Sequence, residues 1–176
     1  MVEKVRVLRL GHRIYRDIRT TTHCALTARA LGAEQITIIG EQDKSIEESV
    51  KKVVLVWGGN FKISFSEDRK KEITELKKQG FTLVHLTMYG EELQKKIKEL
   101  RKEKKVCIII GGEKVPPEIY QKSDYNVSVG TQPHSEIAAL ALALHELFEG
   151  KELWKKFPKA KIKIVPQKKG KKTIKQ

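Results

Sequence analysis

Residues 106–136, VCIIIGGEKVPPEIYQKSDYNVSVGTQPHSE, decide the fold. The apolar run 106–110 enters Gly111-Gly112-Glu113-Lys114-Val115-Pro116-Pro117, and a second β-rich run, 125–129, enters Gly130-Thr131-Gln132-Pro133-His134-Ser135-Glu136. Runs this short, rich in Val, Ile and Tyr, read as strands, and the Gly and Pro behind them read as loops. Upstream, residues 82–86 form a third run that opens through His85-Leu86-Thr87-Met88-Tyr89-Gly90. Further runs at 5–10, 36–39 and 61–65 alternate with helical patterns. This alternation predicts an α/β fold: a mostly parallel sheet with helices on both faces.

The helices have start and stop signals. Ser45-Ile46-Glu47-Glu48 opens one that ends before Gly58-Gly59, and Ser66-Glu67-Asp68 opens another that ends at Gly80. Residues 91–104 carry Leu93, Ile97 and Leu100 at helical spacing. Residues 135–148 differ, because Ile137 to Leu144 is an unbroken run of Ala, Leu and Ile with no polar face. A helix of this kind must be covered on several sides, which predicts a homodimer interface built on it.

The 176 residues fit one domain, expected over 1–165, with a basic, disordered tail at 166–176. The net charge of +14 is unevenly spread. Residues 151–176 hold 11 Lys against one carboxylate, Glu152, whereas six of the eight Arg (Arg6, Arg9, Arg13, Arg16, Arg19 and Arg29) fall in the first 29 positions. An excess of this size points to a nucleic-acid partner. The opening residues carry no export signal, so a cytoplasmic protein is expected, without a membrane span. Cys24 and Cys107 are too few for a disulfide framework and read as reduced, buried hydrophobes.

Three successive strand-end loops predict one composite ligand pocket, because open α/β sheets bind ligands at the carboxyl ends of their strands. Glycines at 90, 111, 112 and 130 let backbone approach a ligand closely. The three-glycine dinucleotide fingerprint and the Walker-type Gly-Lys-Ser/Thr are both missing, so phosphate cradling is not indicated. No metal is expected, since the five His are scattered and neither Cys has a partner at zinc-site spacing. No nucleophile with a base and an orienting group can be assembled either. A pocket of backbone groups suits a cofactor that brings its own reactive centre.

Leu8-Arg9-Leu10-Gly11-His12-Arg13 with Arg16-Asp17 and Arg19, Thr22-His23 with Ala28-Arg29-Ala30, the His85–Gly90 run, Gly112-Glu113-Lys114-Val115-Pro116 and Gln132-Pro133-His134-Ser135-Glu136 together carry a family resemblance. The chain resembles the SPOUT class of S-adenosyl-L-methionine-dependent RNA methyltransferases, and within it the archaeal tRNA cytidine-56 2′-O-methyltransferases. The resemblance covers about residues 5–150. It implies a C-terminal trefoil knot, which ordinary topology rules would nearly forbid. It further implies S-adenosyl-L-methionine as cofactor, tRNA as substrate, and 2′-O-methylation of cytidine-56.

Carried onto this chain, the resemblance gives the cofactor to Leu86, Gly111, Gly112, Glu113, Lys114, Val115, Val129, Gly130, Thr131, Gln132, Pro133, His134, Ser135 and Glu136. Arg19 and Arg29 become the candidate catalytic arginines, with His23 an alternative base of near-neutral intrinsic pKa. Arg9, Arg13 and Arg16 become RNA-binding. A guanidinium stays charged, so its role is to orient phosphate and stabilise a developing alkoxide. The reading from another class is a basic RNA-binding or ribosome-associated protein without catalysis, in which the loops are only turns.

Overall fold

A computed structural model describes residues 2–111 and 114–175. Its elements run β1 (Lys4–His12), α1 (Ile18–Ala30), β2 (Gln35–Gly40), α2 (Lys44–Trp57), β3 (Lys62–Ser66), α3 (Arg69–Lys78), β4 (Thr82–Glu92), α4 (Leu93–Leu100), β5 (Lys105–Gly111), α5 (Pro117–Lys122), β6 (Tyr125–Ser128), α6 (Glu136–Phe148), β7 (Ile162–Ile164) and β8 (Thr173–Lys175). The first six strands form one sheet in the order β3-β2-β1-β5-β4-β6, every pair parallel. The expected α/β architecture is thus present.

Hydrophobic periodicity sorts the helices onto the two faces. Cys24, Ala25 and Ala28 of α1, Ile46 and Val50 of α2, Leu93, Ile97 and Leu100 of α4, and Leu140 and Leu144 of α6 share one core. Ile73 and Leu76 of α3 and Ile119 of α5 share the other with Leu83, Cys107 and Ile109. Crossovers toward the β3 edge use the first face and those toward the β6 edge use the second, so all have one hand. Adjacent β5 and β4 therefore send their loops to opposite faces, and a crevice opens between them at their carboxyl ends. Burial pushes both thiols, Cys24 in the first core and Cys107 in the second, up to about 12.

Local chemistry sets the helix starts. The Asp43 carboxylate accepts from Ser45 N at 2.9 Å and Ile46 N at 3.3 Å, so α2 is capped two residues before the expected Ser45. Asp68 caps α3 by accepting from Lys71 N at 2.9 Å. The helix expected over 91–104 is shorter, because β4 resumes after an excursion: Leu86 pairs with Val127, residues 87–90 leave the ladder, and Glu91 and Glu92 rejoin Val127 and Ser128. Gly90 permits this, since a Cβ there would lie 2.6 Å from Asn126 C and O and from Val127 N.

One expectation about the C-terminal part changes. Thr173–Lys175, in the segment 166–176 expected to be disordered, forms β8 and pairs antiparallel with β7. Alternating Ile162, Ile164 and Ile174 give this lysine-rich stretch enough β character to close a hairpin. The apolar helix, α6, buries Ala139, Leu140, Ala143, Leu144 and Leu147 but leaves Ala138 and Leu142 exposed, Leu142 by 50%.

Candidate functional site

A cavity of about 400 Å³ lies where the β4, β5 and β6 loops converge, within the ~300–1,000 Å³ range of small-molecule sites. β4 and its excursion supply His85, Leu86, Thr87, Met88 and Tyr89; β5 and its loop supply Ile110, Gly111, Lys114 and Val115; α5 supplies Tyr120. The third wall is Val129, Gln132, Pro133, His134, Glu136 and Ala139. Nine predicted cofactor residues thus meet there: Leu86, Gly111, Lys114, Val115, Val129, Gln132, Pro133, His134 and Glu136. Gly130, Thr131 and Ser135 shape the third loop without lining the cavity. Ser128 Oγ donates to Gly130 O at 2.5 Å, and Ser135 Oγ accepts from Ile137 N at 3.1 Å as the cap of α6. The predicted Gly112 and Glu113 lie outside the described residues.

Tyr120 is a cavity residue that the loops did not point to, whereas His85 opens the first of the three predicted loops. His85 is fully buried, and its ring stands edge-on to Tyr120 with centroids 4.7 Å apart. Asn126 Nδ2 donates to Tyr120 O at 2.9 Å, which turns Asn126 Oδ1 toward His85 Nδ1, also at 2.9 Å. The ring must therefore carry its proton on Nδ1, and Nε2 is left as a buried lone pair with no partner among the described residues. Burial holds this imidazole below its ordinary pKa. The sequence marked His85 through the loop it opens; Tyr120 gave no signal.

The arginines are placed differently from expectation. Arg9, expected to bind RNA, is 1% exposed; it donates to Glu136 Oε1 at 2.9 Å and to Gly11 O at 2.5 Å. A side chain so enclosed cannot reach a phosphate, and its role is to join β1 to the first turn of α6. Arg13 is engaged with Asp17, Nε donating to Oδ2 at 3.0 Å, and this pairing holds the Asp17 carboxyl below its usual range. Arg29, expected to be catalytic, is buried; Nη2 donates to Gly58 O at 2.6 Å and the guanidinium lies 4.7 Å from the Phe157 ring centroid. It fastens α1 to the end of α2 and does not line the cavity. Arg16, Arg19 and His23 are exposed, with Arg19 and His23 one turn apart on α1.

The model of a family described as tRNA ribose 2′-O-methyltransferase, aTrm56, matches residues 57–174. The tRNA (cytidine(56)-2′-O)-methyltransferase of Methanocaldococcus jannaschii is 55% identical over 175 residues, covering 98% of this chain and 97% of the relative. That of Thermococcus kodakarensis is 52% identical over 178 residues, covering 99% and 98%. Among solved structures, an RNA 2′-O ribose methyltransferase superposes with a TM-score of 0.67 at 17% identity, over 86% of this chain and 58% of that one. The SpoU methyltransferase AviRb from Streptomyces viridochromogenes, in complex with AdoMet, gives 0.66 at 16%, over 85% and 58%.

Proposed function

The chain belongs to the tRNA ribose 2′-O-methyltransferase family, and from that premise we propose that it transfers a methyl group from S-adenosyl-L-methionine to the ribose 2′-hydroxyl of cytidine-56 in tRNA. The observation that carries this reading is the cavity walled by the β4, β5 and β6 loops, with apolar lining residues and two lining residues, His85 and Glu136, whose Nε2 and Oε2 are buried without a partner among the described residues. Leu86, Ile110, Val115, Val129 and Ala139 offer a surface for a nucleoside base, and His85 Nε2 can accept from a hydroxyl or amino group. When bound, the cofactor supplies a sulfonium-activated methyl group. The work left to the protein is to hold a ribose hydroxyl in line and relieve it of a proton, and such alignment can contribute ~7–11 kcal/mol.

Arg19 is the arginine suited to that second task, because its guanidinium is exposed and able to meet a phosphate and a developing alkoxide. His23, one turn along the same face, can take the proton. Neither residue lines the cavity of its own chain. Homodimerisation through α6 supplies the missing proximity: α1 packs along α6, and the exposed Ala138 and Leu142 form an apolar face for a second copy. A partner seated there brings its own α1 toward the cavity. The trefoil knot belongs to the same reading, supported by the excursion of β4 and the close approach of Gly90 to the β6 backbone. Acting on tRNA, the enzyme works in the cytoplasm.

Mass-spectrometric mapping of ribose methylation in an unmodified tRNA transcript tests the reaction, with a transcript substituted at cytidine-56 as control. Methylation only in the first transcript is expected. Binding of RNA without methyl transfer, together with no calorimetric signal for S-adenosyl-L-methionine, would leave the noncatalytic reading in its place. Light scattering at micromolar concentration tests the dimer, which a monomeric mass excludes.

A further inference from the structure

We propose that Tyr15 is a stacking platform for a nucleobase of the bound RNA, presented at the apex of the turn joining β1 to α1. The inference rests on the RNA-modifying reading above. Tyr15 adopts φ +72° and is 94% exposed. That backbone region is natural to glycine and adverse to a residue with a bulky Cβ substituent. So large and so exposed a ring packs against almost nothing in the fold, so burial does not offset the strain. An observed outlier that the fold leaves unexplained points to a task outside the chain.

The turn around it is built to hold the ring in place. Arg16 N and Asp17 N both donate to Arg13 O, at 3.3 and 3.1 Å. In return Asp17 Oδ2 accepts from Arg13 N at 3.1 Å and from Arg13 Nε at 3.0 Å. Five residues are thereby closed on themselves, and Tyr15 projects from a rigid support that loses little freedom on binding. Exposed Arg16 and Arg19 follow it in the chain, one and four positions on. The turn also leaves the correct edge of the sheet, since Leu10 of β1 is in register with Gly111, which lines the cavity. An aromatic face beside unburied guanidinium groups is the chemistry that holds an unstacked base by its ring and its phosphate by charge.

The test uses the full chain, an unmodified tRNA transcript, and the variants Tyr15→Phe, Tyr15→Leu and Tyr15→Gly. Stacking predicts that Tyr15→Phe binds as the parent does, while Tyr15→Leu and Tyr15→Gly bind tRNA about tenfold more weakly. Relief of the positive φ predicts that Tyr15→Gly melts at or above the parent's temperature despite its weaker binding. Affinity for S-adenosyl-L-methionine stays unchanged in all three. Parental tRNA affinity in Tyr15→Gly overturns the proposal, as does a fall in melting temperature that accompanies the weaker binding. A shift of Tyr15→Gly toward monomer in light scattering reassigns the ring to a protein contact and also overturns it. A parent protein that does not bind tRNA at all refutes the RNA-modifying reading instead.

Discussion

Arg9 and Glu136, 127 positions apart in the chain, meet at 2.9 Å in the interior, with the guanidinium 1% exposed and the carboxylate 11%. The carboxylate sits in the first turn of α6, where the helix dipole favours it, and the pair ties the central strand to the wall of the cavity. Removing one partner strands a buried charge, so Arg9→Met or Glu136→Leu alone should lower unfolding free energy by about 3–5 kcal/mol. The double variant should recover much of that stability in denaturant melts. A destabilisation equal to the sum of the two single effects would show that the two do not act as a pair.

Burial is the leading cause that holds both His85 and His12 below their ordinary pKa of 6.5. The unfolded chain therefore takes up these protons at higher pH than the folded one does. Their stabilising contribution is fully present above about pH 6.5 and is lost as pH falls toward the depressed folded values. Denaturant midpoints should be flat above that pH and decline below it, and the decline should be shallower in His85→Leu. The same substitution removes the unpartnered acceptor of a cavity-lining residue, so calorimetry should show S-adenosyl-L-methionine bound about three- to tenfold more weakly. An unchanged pH slope together with unchanged affinity would contradict both roles.

Gly90→Ala tests the excursion of β4. A methyl group at that position meets the Asn126–Val127 backbone at 2.6 Å, and neither strand can give way without moving Thr87, Met88 and Tyr89. Overpacking of this kind costs about 1–3 kcal/mol, and affinity for S-adenosyl-L-methionine should fall with it. Parental affinity in a folded Gly90→Ala would mean that the lip of the cavity does not depend on this close approach.

Arg19 and Arg29 should separate cleanly. Arg19→Ala is expected to keep the parental melting temperature and cofactor affinity while reducing methyl transfer by ~10²–10³, the scale of removing one electrostatic donor. Arg29→Ala leaves the Gly58 carbonyl without its donor and Phe157 without its cation, so its melting temperature should drop first. Equal melting temperatures for the two variants would restore Arg29 as a candidate for the chemistry.

Deletion of residues 167–176 removes five lysines and the strand β8. For every RNA phosphate that these lysines neutralise, the dependence of log affinity on log salt should flatten by ~0.7–0.9, while binding of S-adenosyl-L-methionine is untouched. An unaltered salt slope for tRNA would show that the hairpin does not engage the phosphates.

Strand runs and breakers were legible because parallel strands bury both faces and leave unmistakable apolar stretches, as in 106–110. The cavity was legible for the same reason, since Gly and Pro mark the ends of β5 and β6. The arginines were not. Composition gives a charge and not its surroundings, so Arg9 and Arg16 look alike in sequence although one is sealed by Glu136 and the other faces solvent. Glu136 and Gly58, which occupy the guanidinium groups of Arg9 and Arg29, are chosen by tertiary structure over 127 and 29 positions, beyond any local pattern, whereas Asp17 takes Arg13 from only four positions away. The pairing of β7 with β8 was masked by the lysines around it, because charge dominates a hydropathy reading even where alternate residues favour a strand.

Cys24 and Cys107 lie on opposite faces of the sheet, each in a different core, and burial keeps both protonated with values near 12. The protein therefore carries its own pair of unfolding clocks. An alkylating reagent reaches Cys24 only when the α1–α6 layer lifts, and Cys107 only when the α3–α5 layer does. Comparing the two modification rates in the unaltered chain reports whether the molecule opens as one unit or one layer at a time, without any engineered probe.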